Sequence, residues 1–119
     1  MNILGIDWGK SKIGLAIADG ILAEPYGIIE NRNWEMVLIK ICDEHKIEKI
    51  VVGLSESQSA IEAKEFGVKF ESLVGIPVEY FDETLTTHDA LVRMKEGKSK
   101  RKNEDAIAAA IILQNYLDS

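Results

Sequence analysis

Residues 2–7, NILGID, constrain the fold more than any other stretch, because they are apolar on both faces of an extended strand and end in a carboxylate. A strand without a polar face belongs in the middle of a sheet covered on both sides. WGKS follows as a turn. Residues 12–18, KIGLAIA, then alternate Ile13, Leu15 and Ile17 with Gly14, Ala16 and Ala18. That is strand period, with one flat face of small residues on which a helix can pack closely. Asp19-Gly20 signals another turn, and a weaker third strand is expected from Tyr26 to Ile29.

Beyond residue 30 the period changes. Asn33 is placed as a helix N-cap, and Trp34, Val37, Leu38, Ile41 and Cys42 follow at helical spacing. KIVVG, 49–53, reads as a buried parallel strand. Ser59 and Glu62 fit a capping box for a helix reaching about Val74, with Phe66, Phe70 and Leu73 inward. Gly75 ends that helix, and residues 77–81 give a fifth strand. Thr86 and Asn103 can cap two more helices, the last over 104–117. The order is βββαβαβαα. Short turns pair the first three strands antiparallel, and helical crossovers pair the last two parallel. The expected class is α/β: a mixed five-stranded sheet with helices on both faces, the ribonuclease-H-like arrangement, as one domain over 1–119.

Composition narrows the function. With 46% hydrophobic and 29% charged residues, the chain reads as globular and soluble. A single cysteine, Cys42, rules out an internal disulfide and leaves no Cys/His zinc cluster. It falls in an apolar helical stripe and is read as core filler. No apolar run approaches the roughly 18 residues of a membrane span. The first residues lack the basic start of a signal peptide. A cytoplasmic location with no membrane partner is expected. A net charge of −6 opposes general affinity for nucleic acid. Yet Lys95, Lys98, Lys100, Arg101 and Lys102 crowd into KEGKSKRK, directly before Asp105. Such a run is ordinarily a solvated linker; its position makes Lys98, Lys100, Arg101 and Lys102 candidate nucleic-acid contacts, together with Lys10 and Lys12 beside Asp7.

Three carboxylates stand where chemistry can be done. Asp7 ends the central strand, where a buried charge is costly unless paired or bound to a metal. Alone it could equally be a turn former. Glu83 ends the fifth strand, next to Asp82. Asp105 lies in the first turn of a helix reading AIAAAIIL, apolar nearly all round, and shares a face with Ala108, Ala109 and Ile112. At a helix start it could simply favour the dipole. The topology lets all three converge at the carboxyl edge of the sheet. Hard oxygen donors without His or Cys imply Mg²⁺ or Mn²⁺. Asp7, Glu83 and Asp105 are therefore the candidate catalytic residues and metal ligands. His88 could serve as an acid or base, Thr86 and Thr87 could contact phosphate and Trp8 could stack on a base, but idle helix His, helix caps and a partly buried wall explain them as well, and His45 suits a helix carboxyl end.

GIDWGKSKIGLAIAD, EKIVVGL, FDETLTT and EDAIAAAIILQNYL, in that order, resemble the YqgF (RuvX-type) family over nearly the whole chain. That family is described as Holliday junction resolvase homologues and as nucleases maturing pre-16S ribosomal RNA. The resemblance implies a ribonuclease-H-like fold, divalent-metal dependence, and acidic roles for Asp7, Glu83 and Asp105. Thr84 replaces the family's usual Arg, GLSES replaces its GLP loop, and Glu104 stands where a hydrophobic residue is usual.

The resulting expectation is a metal-dependent endonuclease maturing the 5′ end of pre-16S rRNA. Its partner is structured RNA ahead of branched DNA, and it acts as a monomer or homodimer. The alternatives are a junction resolvase and a non-catalytic RNA-binding ribosome-assembly module. A nucleotide binder of the actin, Hsp70 and sugar-kinase type shares the first motif, but closes two such domains over ATP.

Overall fold

Every side chain of β1 (Ile3–Trp8) is at least half-buried, as its sequence requires. The computed structural model describes residues 1–54, 59–82 and 104–119; for Ser59 and Glu104 it describes the backbone alone. β2 (Lys12–Ala18) and β3 (Ala23–Glu30) pair antiparallel on one side of β1, while β4 (Lys49–Leu54) and β5 (Val78–Asp82) pair parallel on the other. The strand order is β3-β2-β1-β4-β5, so β1 is central.

Each face of the sheet has its own core. α1 (Trp34–Glu44) and α2 (Ser59–Val74) cover Leu4, Ile6, Ile13, Leu15, Ile50 and Val52. α3 (Glu104–Asp118) covers Ile3, Ala16, Ala18 and Val51 through Ala109, Ala110, Ile112 and Leu113. The small residues of β2 let α3 lie close. A Cβ on Gly5 would stand 2.9 Å from that of Leu113 and 3.2 Å from the Ala109 carbonyl oxygen. The α1–α2 seam is aromatic: the Trp34 ring lies 4.5 Å from Phe66 and 5.7 Å from Phe70. Cys42 is core filler, and burial pushes its thiol up to about 11.

Four local details differ from the expectation. β3 begins at Ala23, because an edge strand tolerates Pro25, which has no N–H to give to a ladder. Asn33 adopts a left-handed conformation (φ 53°) and makes no side-chain capping bond. Asn is among the few residues that visit that region cheaply, so it serves the bend before α1 rather than the cap. Val37 is exposed, on the flank of the stripe formed by Trp34, Leu38, Ile41 and Cys42. Leu73 is exposed as well; with Ile39, Cys42, Ile47 and Ile76 it lines an open cleft of about 420 Å³ between the ends of α1 and α2. Gly75 ends α2 as expected, at φ 69°, with its N–H donating to the Glu71 carbonyl at 2.8 Å. The helix expected after Thr86 lies outside the described residues. Among the described residues no helix is long and apolar enough to cross a membrane.

Candidate active site

β1, β3 and the helix-linked β4 and β5 all point their carboxyl ends toward one pole of the sheet. Asp7 is the next-to-last residue of β1, half-buried at that pole. In the ladder it stands opposite Gly14 of β2, so both present the same face, with Cβ positions about 4.5–5.5 Å apart. Ile3 and Val51 mark that face as the one α3 covers.

Gly14 is where the second carboxylate arrives. A Cβ built on it would overlap the Asp105 carbonyl and stand 3.1 Å from the Asp105 Cβ. The first turn of α3 therefore rests on bare backbone, and Asp105 sits above the residue paired with Asp7. Asp7 and Asp105 come from opposite ends of the sequence, and one glycine is the neighbour of both. The small-residue face read in KIGLAIA is what permits this. Asp105 is half-buried, and among the described residues no donor or cation engages it.

The other candidates divide. Glu83, Lys98, Lys100, Arg101 and Lys102 lie outside the described residues, as do Thr84, Thr86, Thr87 and His88. Asp82, the last residue of β5, is exposed. Lys10 and Lys12 are exposed at the pole of Asp7, in and beside the turn that follows it. Lys10 reaches Glu62 of α2 at 4.0 Å, a solvent-exposed pair. Trp8 is partly buried against the α1–α2 core and serves as a wall. His45 stands at the opposite pole, its ring 5.0 Å from Tyr26 and its Nε2 3.2 Å from the Tyr26 hydroxyl.

One residue that sequence reasoning overlooks lies beside the site. Asn31 follows β3; its side-chain amide donates to the Gly9 carbonyl at 2.5 Å and its backbone N–H to the Ser11 carbonyl at 2.9 Å. It ties down the turn that leaves Asp7. No local pattern announces this, because the partners are about twenty residues apart in the chain.

Among the described residues no three His, Cys, Asp or Glu gather as a metal site. Two half-buried carboxylates on one face supply part of a hard-oxygen donor set, and that set fits a small divalent cation better than a soft one.

Comparisons with known proteins bear on family and fold. The family model described as "RuvX: Holliday junction resolvase" matches residues 1–119. A protein of Clostridium botulinum (strain Alaska E43 / Type E3) named "Putative pre-16S rRNA nuclease" is 42% identical over 133 aligned positions, spanning 99% of this chain and 97% of the relative. One of the same name from Dictyoglomus thermophilum is 35% identical, over 100% and 96%. Among solved structures, the fowlpox virus Holliday junction resolvase superposes with a TM-score of 0.67 at 14% identity, over 99% of this chain and 98% of that one. RuvC from T. thermophilus in complex with a Holliday junction gives 0.64 at 16%, over 99% and 95%. At those identities the superpositions establish the fold, which is ribonuclease-H-like. Fold, strand order and full-length similarity together make the chain a member of the RuvX family of nucleases.

Proposed function

We propose that this protein is a metal-dependent endonuclease that hydrolyses phosphodiester bonds in structured RNA, and that its task is maturing the 5′ end of pre-16S rRNA in the cytoplasm. The observation that carries this reading is that Gly14 neighbours both Asp7 and Asp105. Among the described residues no cation engages Asp105, and a half-buried carboxylate without one is costly to maintain for structure alone. Asp7 and Asp105 suit a site whose charge a metal balances.

Asp7, Glu83 and Asp105 would hold Mg²⁺ or Mn²⁺. Such an ion supplies a water of lowered pKa and charge stabilisation at the phosphate. The chain's own part is positioning. β1 holds Asp7 through its pairing with Gly14 of β2, one residue beyond the β4 ladder that ends at Ile6; Asn31 fixes the turn after it, and the last helix brings Asp105 by resting on Gly14. Lys10 and Lys12, with Lys98, Lys100, Arg101 and Lys102, would meet the phosphate backbone. The rRNA assignment rests on the names of the full-length relatives. The family model's description favours branched DNA as the second reading.

One experiment separates them. The protein, with Mg²⁺ or Mn²⁺, is given a labelled precursor 16S 5′ segment and a four-way DNA junction, with Asp7→Asn run beside it. We expect cleavage of the RNA, lost in the variant while circular dichroism and melting stay unchanged. Paired symmetric cuts in the junction alone would make it a resolvase, acting as a homodimer. Binding of RNA without turnover under either metal would make it a non-catalytic assembly module.

A further inference from the structure

The two poles of the sheet differ in charge. At the pole remote from Asp7, where β1 begins and α1, α2 and α3 end, Asp19, Glu24, Asp43, Glu44, Glu48, Glu71 and Asp118 are all exposed. Lys46 is there too, while Lys49 is held by Glu79 at 2.7 Å. The Asp7 pole carries three exposed cations, Lys10, Lys12 and Arg32, against the exposed Glu30 and Asp82 and the Glu62 that pairs with Lys10, so it is the less acidic of the two. Neither Lys12 nor Arg32 has an ion pair among the described residues.

Their placement is fixed by backbone. Lys12 precedes Gly14 by one strand period, so it lies on the face shared by Asp7, Gly14 and Asp105. Its ladder partner is Glu30, with which it makes no ion pair. Arg32 follows Asn31, whose two bonds to Gly9 and Ser11 fasten this segment against the turn that carries Lys10. The left-handed Asn33 behind it turns the chain into α1. Arg32 is thus an exposed guanidinium one residue beyond the braced Asn31, at the pole of Asp7, and among the described residues it has no ion pair.

We propose that Arg32 and Lys12 form a phosphate grip on the β3 side of the site. They hold the sugar-phosphate backbone of the nucleic acid on which the site acts. The proposal rests on the reading of the site as a nuclease. An arginine can take a phosphate through two parallel N–H bonds, and the acidic remote pole repels a polyanion that approaches from the other end. Such contacts fix register and carry no base preference.

The test is the salt dependence of binding to a fluorescein-labelled single-stranded RNA and its duplex. Ca²⁺ replaces Mg²⁺, and the probe's integrity is checked on a denaturing gel. Arg32→Ala and Lys12→Ala are compared with Lys46→Gln at the remote pole. Each grip variant is expected to weaken binding alike for all sequences and to reduce the slope of log K against log[salt] by about 0.7 on the single strand. Lys46→Gln should change neither. Arg32→Lys should restore the slope, which a folding defect would not allow. If Arg32→Ala and Lys12→Ala bind as the parent does, the grip is overturned and the nuclease reading stands on its own cleavage test. Equal losses in all three variants would mean a diffuse field and would also overturn it. A parent protein that binds neither probe would overturn both readings.

Discussion

Gly14 shows how little room one atom has. The Asp105 carbonyl occupies the space a methyl group would need, and helix backbone moves only with the whole helix. Gly14→Ala should cost about 1–3 kcal/mol by overpacking, measured by urea denaturation, and should lower cleavage further by pushing Asp105 away from Asp7. Gly67 is the control. There the nearest atoms to a Cβ belong to the outer end of the Tyr80 side chain, held only by a 3.3 Å hydrogen bond to the Lys64 carbonyl, and alanine in a helix interior gains about 1 kcal/mol over glycine. Gly67→Ala should be close to neutral in both assays. At this scale the sequence announces the placements that come from periodicity. Asp7, Asp105 and the flat face of β2 are visible because each interrupts or completes a repeating pattern. Asn31 and Arg32 are not visible. They follow a strand and precede a helix, and their value comes from a turn about twenty residues away.

α3 is held to the sheet at its far end by polar groups as well as by apolar packing. Lys49 of β4 bonds Glu79 of β5 at 2.7 Å and the Tyr116 hydroxyl of α3 at 3.0 Å, and that hydroxyl donates to Glu79 at 2.9 Å. The Lys49 ammonium, followed by the Tyr116 hydroxyl, holds the Glu79 carboxyl below its ordinary range, while Glu79 and then Tyr116 hold Lys49 above its own. A depressed carboxylate stabilises the fold above its unfolded pKa, about 4.3, and that stability is lost as pH falls through the lower folded value. The parent should therefore be more stable than Glu79→Gln at pH 7, and the two should converge as acid protonates Glu79. Chemical denaturation at a series of pH values tests this; a gap that persists in acid would mean the clamp is not electrostatic. The lysine side predicts loss only as pH rises beyond the ordinary lysine range. The order and pairing of the elements follow from their patterns, since each strand and helix has the period its burial requires. Their edges do not. Pro25 conceals the start of β3, and Val37 and Leu73 obey the helical spacing yet lie beyond what the sheet can cover.

As a whole the molecule is an acidic body, and three of its described cations, Lys10, Lys12 and Arg32, lie at the end that carries Asp7 and Asp105. Net charge conceals this, since −6 taken alone argues against nucleic acid. The polarity has a cost that can be measured. Replacing Asp43 and Glu44 with lysine should strengthen non-specific RNA binding at low salt while leaving the rate of cleavage at saturating substrate unchanged, because the added affinity lies at the wrong end. A higher saturating rate would show that the poles do not divide the work.

The dependence of the site on α3 also bears on how such a protein is made. Chains emerge from the ribosome N-terminal end first. A chain that has emerged only through β5 holds Asp7 and the sheet, but the helix that brings Asp105 to Gly14 is still to come. On the proposed reading, a nascent chain that still lacks this helix would lack Asp105 and with it the full carboxylate set, and would cleave nothing around it while it is being made.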